Sequence, residues 1–252
     1  MGGVVALLYG VVVYCVFFAS FLYAIVFVGN VSELPGGLVV PKTIDSGAVG
    51  APLPSAIVDL VLLSIFAVQH SLMARRGFKR AWTRIVPPSV ERSTYVLLSS
   101  LALLLLYWQW RPLPEPVWAV GNPLAVSVLG ALFWAGWGIV LVSTFLLDHF
   151  ELFGLRQVWA RMSGEAVPAP QFRTPLLYRF VRHPIYLGFI IAFWSAALMS
   201  QGHLLFALAT TGYIFVGIFL EERDLVAHFG ESYVVYRASV WMILPLPPSR
   251  RP

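Results

Sequence analysis

Long stretches without charge alternate with short polar connections along this chain. Residues 4–28 contain no Asp, Glu, Lys, Arg or His, and at ~1.5 Å per residue such a helix exceeds a ~30 Å hydrocarbon core. The run is too long for a signal-peptide core, has no basic residue before it and no A-x-A site after it, so it reads as a retained span. Residues 55–74, 94–110 and 124–147 predict three further spans, and 185–200 with 203–220 predict a hairpin about Gln201, Gly202 and His203. Both arms of that hairpin are short, so it reads as a tilted or partly penetrating pair. Segment 29–54, rich in proline and glycine, reads as a structured extramembrane loop. The expected fold is an all-α integral membrane bundle of five to six transmembrane helices, with a short C-terminal hairpin and a cytoplasmic cap from residues 148–184 and 221–252. Residues 1–252 read as a single domain.

Composition agrees with that pattern. Apolar residues make up 59% of the 252 and charged residues 12%, against about 25% charged in soluble proteins. The one cysteine, Cys15, excludes a disulfide within the chain and a cysteine metal site, and no metal is expected.

Lys and Arg give the orientation. Loop 75–93 carries Arg75, Arg76, Lys79, Arg80, Arg84 and Arg92, and loop 148–184 carries Arg156, Arg161, Arg173, Arg179 and Arg182; the opposite side has only Lys42 and Arg111. Both basic loops, the N-terminus and the C-terminal tail are therefore expected in the cytoplasm. The net charge of +5 then reads as topology and contact with anionic headgroups, not as nucleic-acid binding.

Ionisable groups at membrane depth are costly unless something uses them. On the expected topology His70, His149, His183, Glu221 and Glu222 all reach one membrane face from separate spans, whereas His203 lies in the opposite turn and His228 in the polar tail. Taken singly, His70 reads as a hydrogen-bonded interfacial histidine, Asp148 and His149 as a polar helix border, and Glu221 and Glu222 as a solvated helix end. The string R-H-P-I-Y-L-G at 182–188 is harder to dismiss. Pro184 suits a first helical turn, but packing does not account for Arg182, His183 and Tyr186.

R-H-P-I-Y-L-G, followed by E-E-R-D-L at 221–225, F-G-E-S-Y-V-V-Y at 229–236 and I-L-P at 243–245, resembles the superfamily of isoprenylcysteine carboxyl and phospholipid methyltransferases. That likeness covers about residues 174–245, the expected cofactor-binding portion. Q-H-S at 69–71 and D-H-F-E-L-F-G-L at 148–155 make the chain most similar, within it, to the bacterial methanethiol S-methyltransferases. The resemblance implies a bacterial inner-membrane enzyme that takes S-adenosylmethionine from the cytoplasm and methylates a small volatile thiol, giving dimethyl sulfide from methanethiol. It implies cofactor binding by Arg182, His183, Pro184, Tyr186, Leu187, Gly188, Glu221, Glu222 and Tyr236, with Gly188 allowing close backbone approach and Tyr233, Tyr236 and Arg237 forming a lid. Of the adjacent acids one is expected to face the cofactor, with Glu221 slightly favoured.

A thiolate attacks far better than a thiol, and imidazole titrates near ambient pH. His70 and His149 are therefore candidate catalytic bases, with Asp148 orienting one of them. Trp134, Trp137 and Trp194 are available to wall a small pocket, while Trp108 and Trp110 read as interfacial anchors. Two other readings remain open: methylation of a prenylcysteine carboxylate or a phospholipid amine, and a haem protein using His70 and His149 as axial ligands.

Overall fold

The computed structural model describes residues 2–166 and 172–244; Pro245 of the I-L-P string, the tail beyond it and residues 167–171 of the second basic loop lie outside the described residues. In chain order the elements are α1 (Gly3–Val28), β1 (Glu33–Leu34), β2 (Leu38–Val39), α2 (Pro52–Ala74), α3 (Arg76–Trp82), α4 (Pro88–Gln109), β3 (Pro116–Ala119), α5 (Pro123–Leu147), α6 (His149–Leu152), α7 (Leu155–Ser163), a 3-10 turn (Leu176–Arg179), α8 (Pro184–Trp194), β4 (Leu198–Ser200), α9 (Gln201–Phe229) and α10 (Glu231–Ser239). Four helices open on proline at their first position, Pro52, Pro88, Pro123 and Pro184, where the missing N–H costs no helical bond. Asn122 caps α5 by accepting from the Ala125 N–H at 3.1 Å.

Five helices, α1, α2, α4, α5 and α9, are long and apolar enough to cross a membrane, and the protein is an integral membrane bundle. Around its axis α1 packs on α4, α4 on α2, α2 on α9, α9 on α8 and α8 on α5. Phe21 and Trp137, edge to face at 5.4 Å, close the ring between α1 and α5.

The C-terminal hairpin differs from the sequence expectation. Its first arm is a helix of 11 residues ending at Trp194, after which the backbone extends and β4 pairs antiparallel with β3 at the end of the bundle opposite the basic loops. The bent residues 195–197 and β4 carry the chain on from α8 to that end. Gln201, Gly202 and His203 do not form the turn; they are the first residues of α9. That helix runs for 29 residues, so Glu221 and Glu222 lie inside it instead of closing it. Helix length follows backbone hydrogen bonding, and residues such as Glu and Arg continue a helix well beyond the apolar zone.

The end opposite the basic loops is sealed by packing. Trp110 is fully buried among Phe27, Leu106 and Phe206, and its indole N–H donates to the Ile44 carbonyl at 3.0 Å, so it is a core residue and not the expected interfacial anchor. Trp108 beside it is 72% exposed. Trp137 joins the same core, Trp134 faces outward, and Trp194 donates to Thr211 Oγ1 at 3.0 Å.

α5 and α8 cross at two facing glycines. A Cβ on Gly188 would stand 2.6 Å from the Gly136 carbonyl oxygen, and one on Gly136 would stand 2.7 Å from the Gly188 oxygen and the Ala192 nitrogen. Only glycine permits that approach.

Candidate active site

At the basic end, α8 and α9 bring most of the R-H-P-I-Y-L-G string and the two acids together. Arg182 Nε donates to Glu222 Oε1 at 2.7 Å, with the two side chains only 11% and 13% exposed. Its terminal nitrogen donates to the carbonyls of Arg237 at 3.0 Å and Val240 at 2.5 Å. His183, buried, places Nε2 3.1 Å from Glu222 Oε1 and Nδ1 3.8 Å from Glu221 Oε2. Tyr186 donates its hydroxyl to Glu221 Oε2 at 2.8 Å.

The two acids are thereby distinguished. Glu222 is held by Arg182 and His183, with Arg237 3.9 Å away, and serves to join α8 to α9. Glu221 is 44% exposed and keeps acceptor capacity beyond its tyrosine, because an ionised carboxylate offers about four lone-pair positions.

The backbone at the start of the motif is held by the far C-terminal segment. Arg182 N–H donates to the Trp241 carbonyl at 2.8 Å and His183 N–H to Met242 at 3.2 Å, with Val181 and Trp241 forming a parallel bridge. α10 lies over the same region, where Tyr236 donates to the Tyr178 carbonyl at 2.6 Å. Tyr233 is buried beside it, and burial lifts both phenols above their ordinary range, so they remain neutral donors.

Other residues of the string are enclosed by protein. Pro184 starts α8 and is fully buried, Leu187 packs near Ile214, Ile218 and Ile243, and Gly188 faces Gly136. The close approach expected at Gly188 is thus taken by a neighbouring helix.

The two candidate bases occupy different neighbourhoods. His70 lies on α2, its ring nitrogens 3.1 and 2.9 Å from the Tyr95 hydroxyl and its Nδ1 3.2 Å from Ser99 Oγ. Phe66 stacks on the imidazole with ring centres 5.2 Å apart. The adjacent Ser71 Oγ meets the Tyr213 hydroxyl of α9 at 3.0 Å, and one turn on Arg75 pairs with Asp224 at 2.9 Å.

His149 begins α6. Thr144 donates its hydroxyl to the Leu141 carbonyl at 2.7 Å, which leaves its oxygen to accept from His149 Nδ1–H at 2.9 Å. Nε2 then accepts the Tyr14 hydroxyl proton at 2.8 Å, assigning the neutral Nδ1–H tautomer. Phe145 stacks on the ring at 4.2 Å. Asp148, expected to orient a histidine, instead caps α6 through the Glu151 N–H at 3.0 Å and pairs with Arg156; Tyr14 and Thr144 orient His149. Sequence reasoning missed Tyr14, Tyr95, Ser99, Thr144 and Tyr213. The available signal was the cost of a hydroxyl in an apolar run, which demands a partner at the same depth.

Burial holds the His149 imidazole below its ordinary 6.5, with Asp148 a smaller opposing influence. An unfolded chain therefore takes up a proton at this position more readily than the folded one, so folded stability is complete above about pH 6.5 and declines as pH falls below it. In thermal scans in detergent, the midpoint is expected to drop between pH 7 and pH 5, and His149→Gln is expected to flatten that drop. An unchanged slope would assign the acid sensitivity elsewhere.

The family model for phospholipid methyltransferases matches residues 125–232, which span α5 to α10 and include the Arg182–Glu222 cluster. A methanethiol S-methyltransferase of Mycobacterium tuberculosis is 56% identical over 96% of each chain. Two from Bradyrhizobium diazoefficiens are 56% and 52% identical over 96% and 95% of this chain, and over 82% and 89% of their own. This chain belongs to the methanethiol S-methyltransferase family. No solved structure matches it. Membership of the methanethiol S-methyltransferase family makes it an enzyme, a membrane methyltransferase, and the matched lengths run from α1 through the last described helix.

Proposed function

We propose that this protein transfers a methyl group from S-adenosylmethionine to methanethiol, giving dimethyl sulfide, at the cytoplasmic face of a bacterial inner membrane. The observation that carries the reading is the buried Arg182–Glu222–His183 cluster with the half-exposed Glu221 beside it, at the bundle end where Lys and Arg concentrate. Positive charge in short loops marks the cytoplasmic side, where the methyl donor is made and dissolved. The relatives' printed names supply the acceptor.

The residues present fit the donor's chemistry. Glu221 has spare acceptor positions for an ammonium or ribose hydroxyls, Arg182 and Arg237 provide positive charge for a carboxylate, and Tyr186, Tyr233 and Tyr236 provide rings and hydroxyls. When bound, the donor supplies a methyl on a positively charged sulfur that departs as a neutral thioether. The protein's contribution is alignment and exclusion of water. In the acceptor the S–H proton passes to an imidazole as the sulfur lone pair forms the new carbon–sulfur bond. We assign that role to His70, which packs through Phe66 toward Tyr213 of α9; its nitrogens, like those of His149, already meet hydroxyls. Tyr95 and Ser99 hold the His70 ring in place.

Purified enzyme supplied with labelled donor is expected to release dimethyl sulfide into the headspace with methanethiol, and no methylated product with prenylcysteine or phospholipid. His70→Ala is expected to lower kcat by roughly 100-fold, the usual scale of general-base catalysis, with donor affinity by calorimetry unchanged. Loss of donor binding in that variant would move His70 to the binding side, and a labelled lipid product would replace the thiol reading.

A further inference from the structure

A cavity of about 200 Å³ lies between α2 and α9, on the membrane side of the His70 neighbourhood. We infer that it is the chamber through which the thiol leaves the bilayer and waits beside His70; this rests on the thiol reading above. The two helices are clamped at the basic end by Arg75–Asp224 and Ser71–Tyr213, and the cavity sits deeper, between Ala67 on one helix and Ala209 on the other.

Its size selects the occupant. Pockets for drug-sized ligands run roughly 300–1,000 Å³, so this cleft does not enclose a whole prenyl chain or phospholipid and is ample for a molecule of a few heavy atoms. Its polarity does the same. The wall hydroxyls are spent inside their own helices, Ser64 donating to the Leu60 carbonyl at 2.7 Å and Thr210 to Phe206 at 2.6 Å, and the Tyr213 hydroxyl goes to Ser71. What faces the space is mostly carbon, suited to a neutral thiol that has not yet lost its proton.

Phe66 stands between the cavity and His70. Phe66 and Tyr213, edge to face at 6.2 Å, form the wall toward the basic end, and the other contact of Phe66 is its stack on the His70 ring. One aromatic side chain therefore separates the chamber from the proposed base, while Leu60 at its outer margin is 43% exposed to the lipid side.

Filling the chamber is the test. Ala209→Leu and Ala67→Leu, on opposite walls, are expected to raise KM for methanethiol at least tenfold while donor Kd stays at the wild-type value. Leu63→Ala, which enlarges it, is expected to raise kcat/KM for propanethiol relative to methanethiol at least tenfold. Leu208→Ala, on the neighbouring lipid-facing position, is expected to change neither ratio. Wild-type KM for every thiol in both filled variants, with dimethyl sulfide still produced, would overturn the chamber and leave the function intact. A copurified acyl chain whose displacement leaves thiol KM unchanged would overturn it in favour of lipid. An enzyme that makes no dimethyl sulfide at all would sink both.

Discussion

Arg182→Ala is expected to abolish high-affinity binding of S-adenosylmethionine and reduce dimethyl sulfide formation to background. The guanidinium satisfies Glu222 and two backbone carbonyls at once, and its side chain is only 11% exposed. Removing one member of such a buried pair, with only His183 left bonded to Glu222, is expected to cost about 3 kcal/mol, or roughly two decades in affinity where it falls on donor binding. Arg182→Lys is expected to recover little, because an ammonium cannot reproduce the planar fork that reaches a carboxylate and two carbonyls together. Calorimetry in detergent checks both variants. Wild-type donor affinity in the alanine variant would show that Arg182 only pins the chain.

The second large effect is expected at the crossing of α5 and α8. Gly188→Val places a branched side chain where the nearest atoms are the Gly136 carbonyl oxygen at 2.6 Å and the Val140 backbone nitrogen at 2.9 Å. Backbone atoms cannot swing aside, so the helices must separate, and the cost should exceed the roughly 1–3 kcal/mol usual for overpacking. The variant is expected to accumulate poorly and to lose its cooperative thermal transition. Gly130→Ala on the same α5 helix, where an added Cβ meets nothing within 4 Å, is expected to leave yield and midpoint unchanged or slightly higher. Equal behaviour of the two variants would remove the crossing from the account.

The apolar runs made α1, α2, α4 and α5 legible because a spanning helix must bury its backbone polar groups within itself, and the sequence shows such a run directly. The last two apolar stretches were less legible for two reasons. Residues 185–200 are uniformly apolar, yet the helix stops at Trp194, where Ser195 turns its hydroxyl back to Ile191 at 2.6 Å and β3 offers the following backbone another partner. Hydropathy also marks where the membrane ends, not where the helix ends, so α9 continues past its acids. Trp110 reads as an anchor beside Arg111 until the loop carrying Ile44 folds beneath it, a long-range contact that no local pattern announces.

At the site, the string at 182–188 and the acid pair were legible as chemistry, and their pairing follows once α8 and α9 are adjacent. The separate duties of Glu221 and Glu222 were not, because adjacent helical residues differ only in direction, and direction is set by what faces them. The hydroxyl partners of the two histidines were hidden for the same reason. Tyr14 and Tyr95 are ordinary aromatic residues in their own spans until another helix presents an imidazole at matching depth.

The backbone bonds from Arg182 and His183 to Trp241 and Met242 bear on biosynthesis. α8 emerges well before the segment that clasps its head, which follows α9 and α10 in the chain. A nascent chain is therefore lodged in the bilayer before it is competent, and maturation of the catalyst waits on the arrival of that clasp.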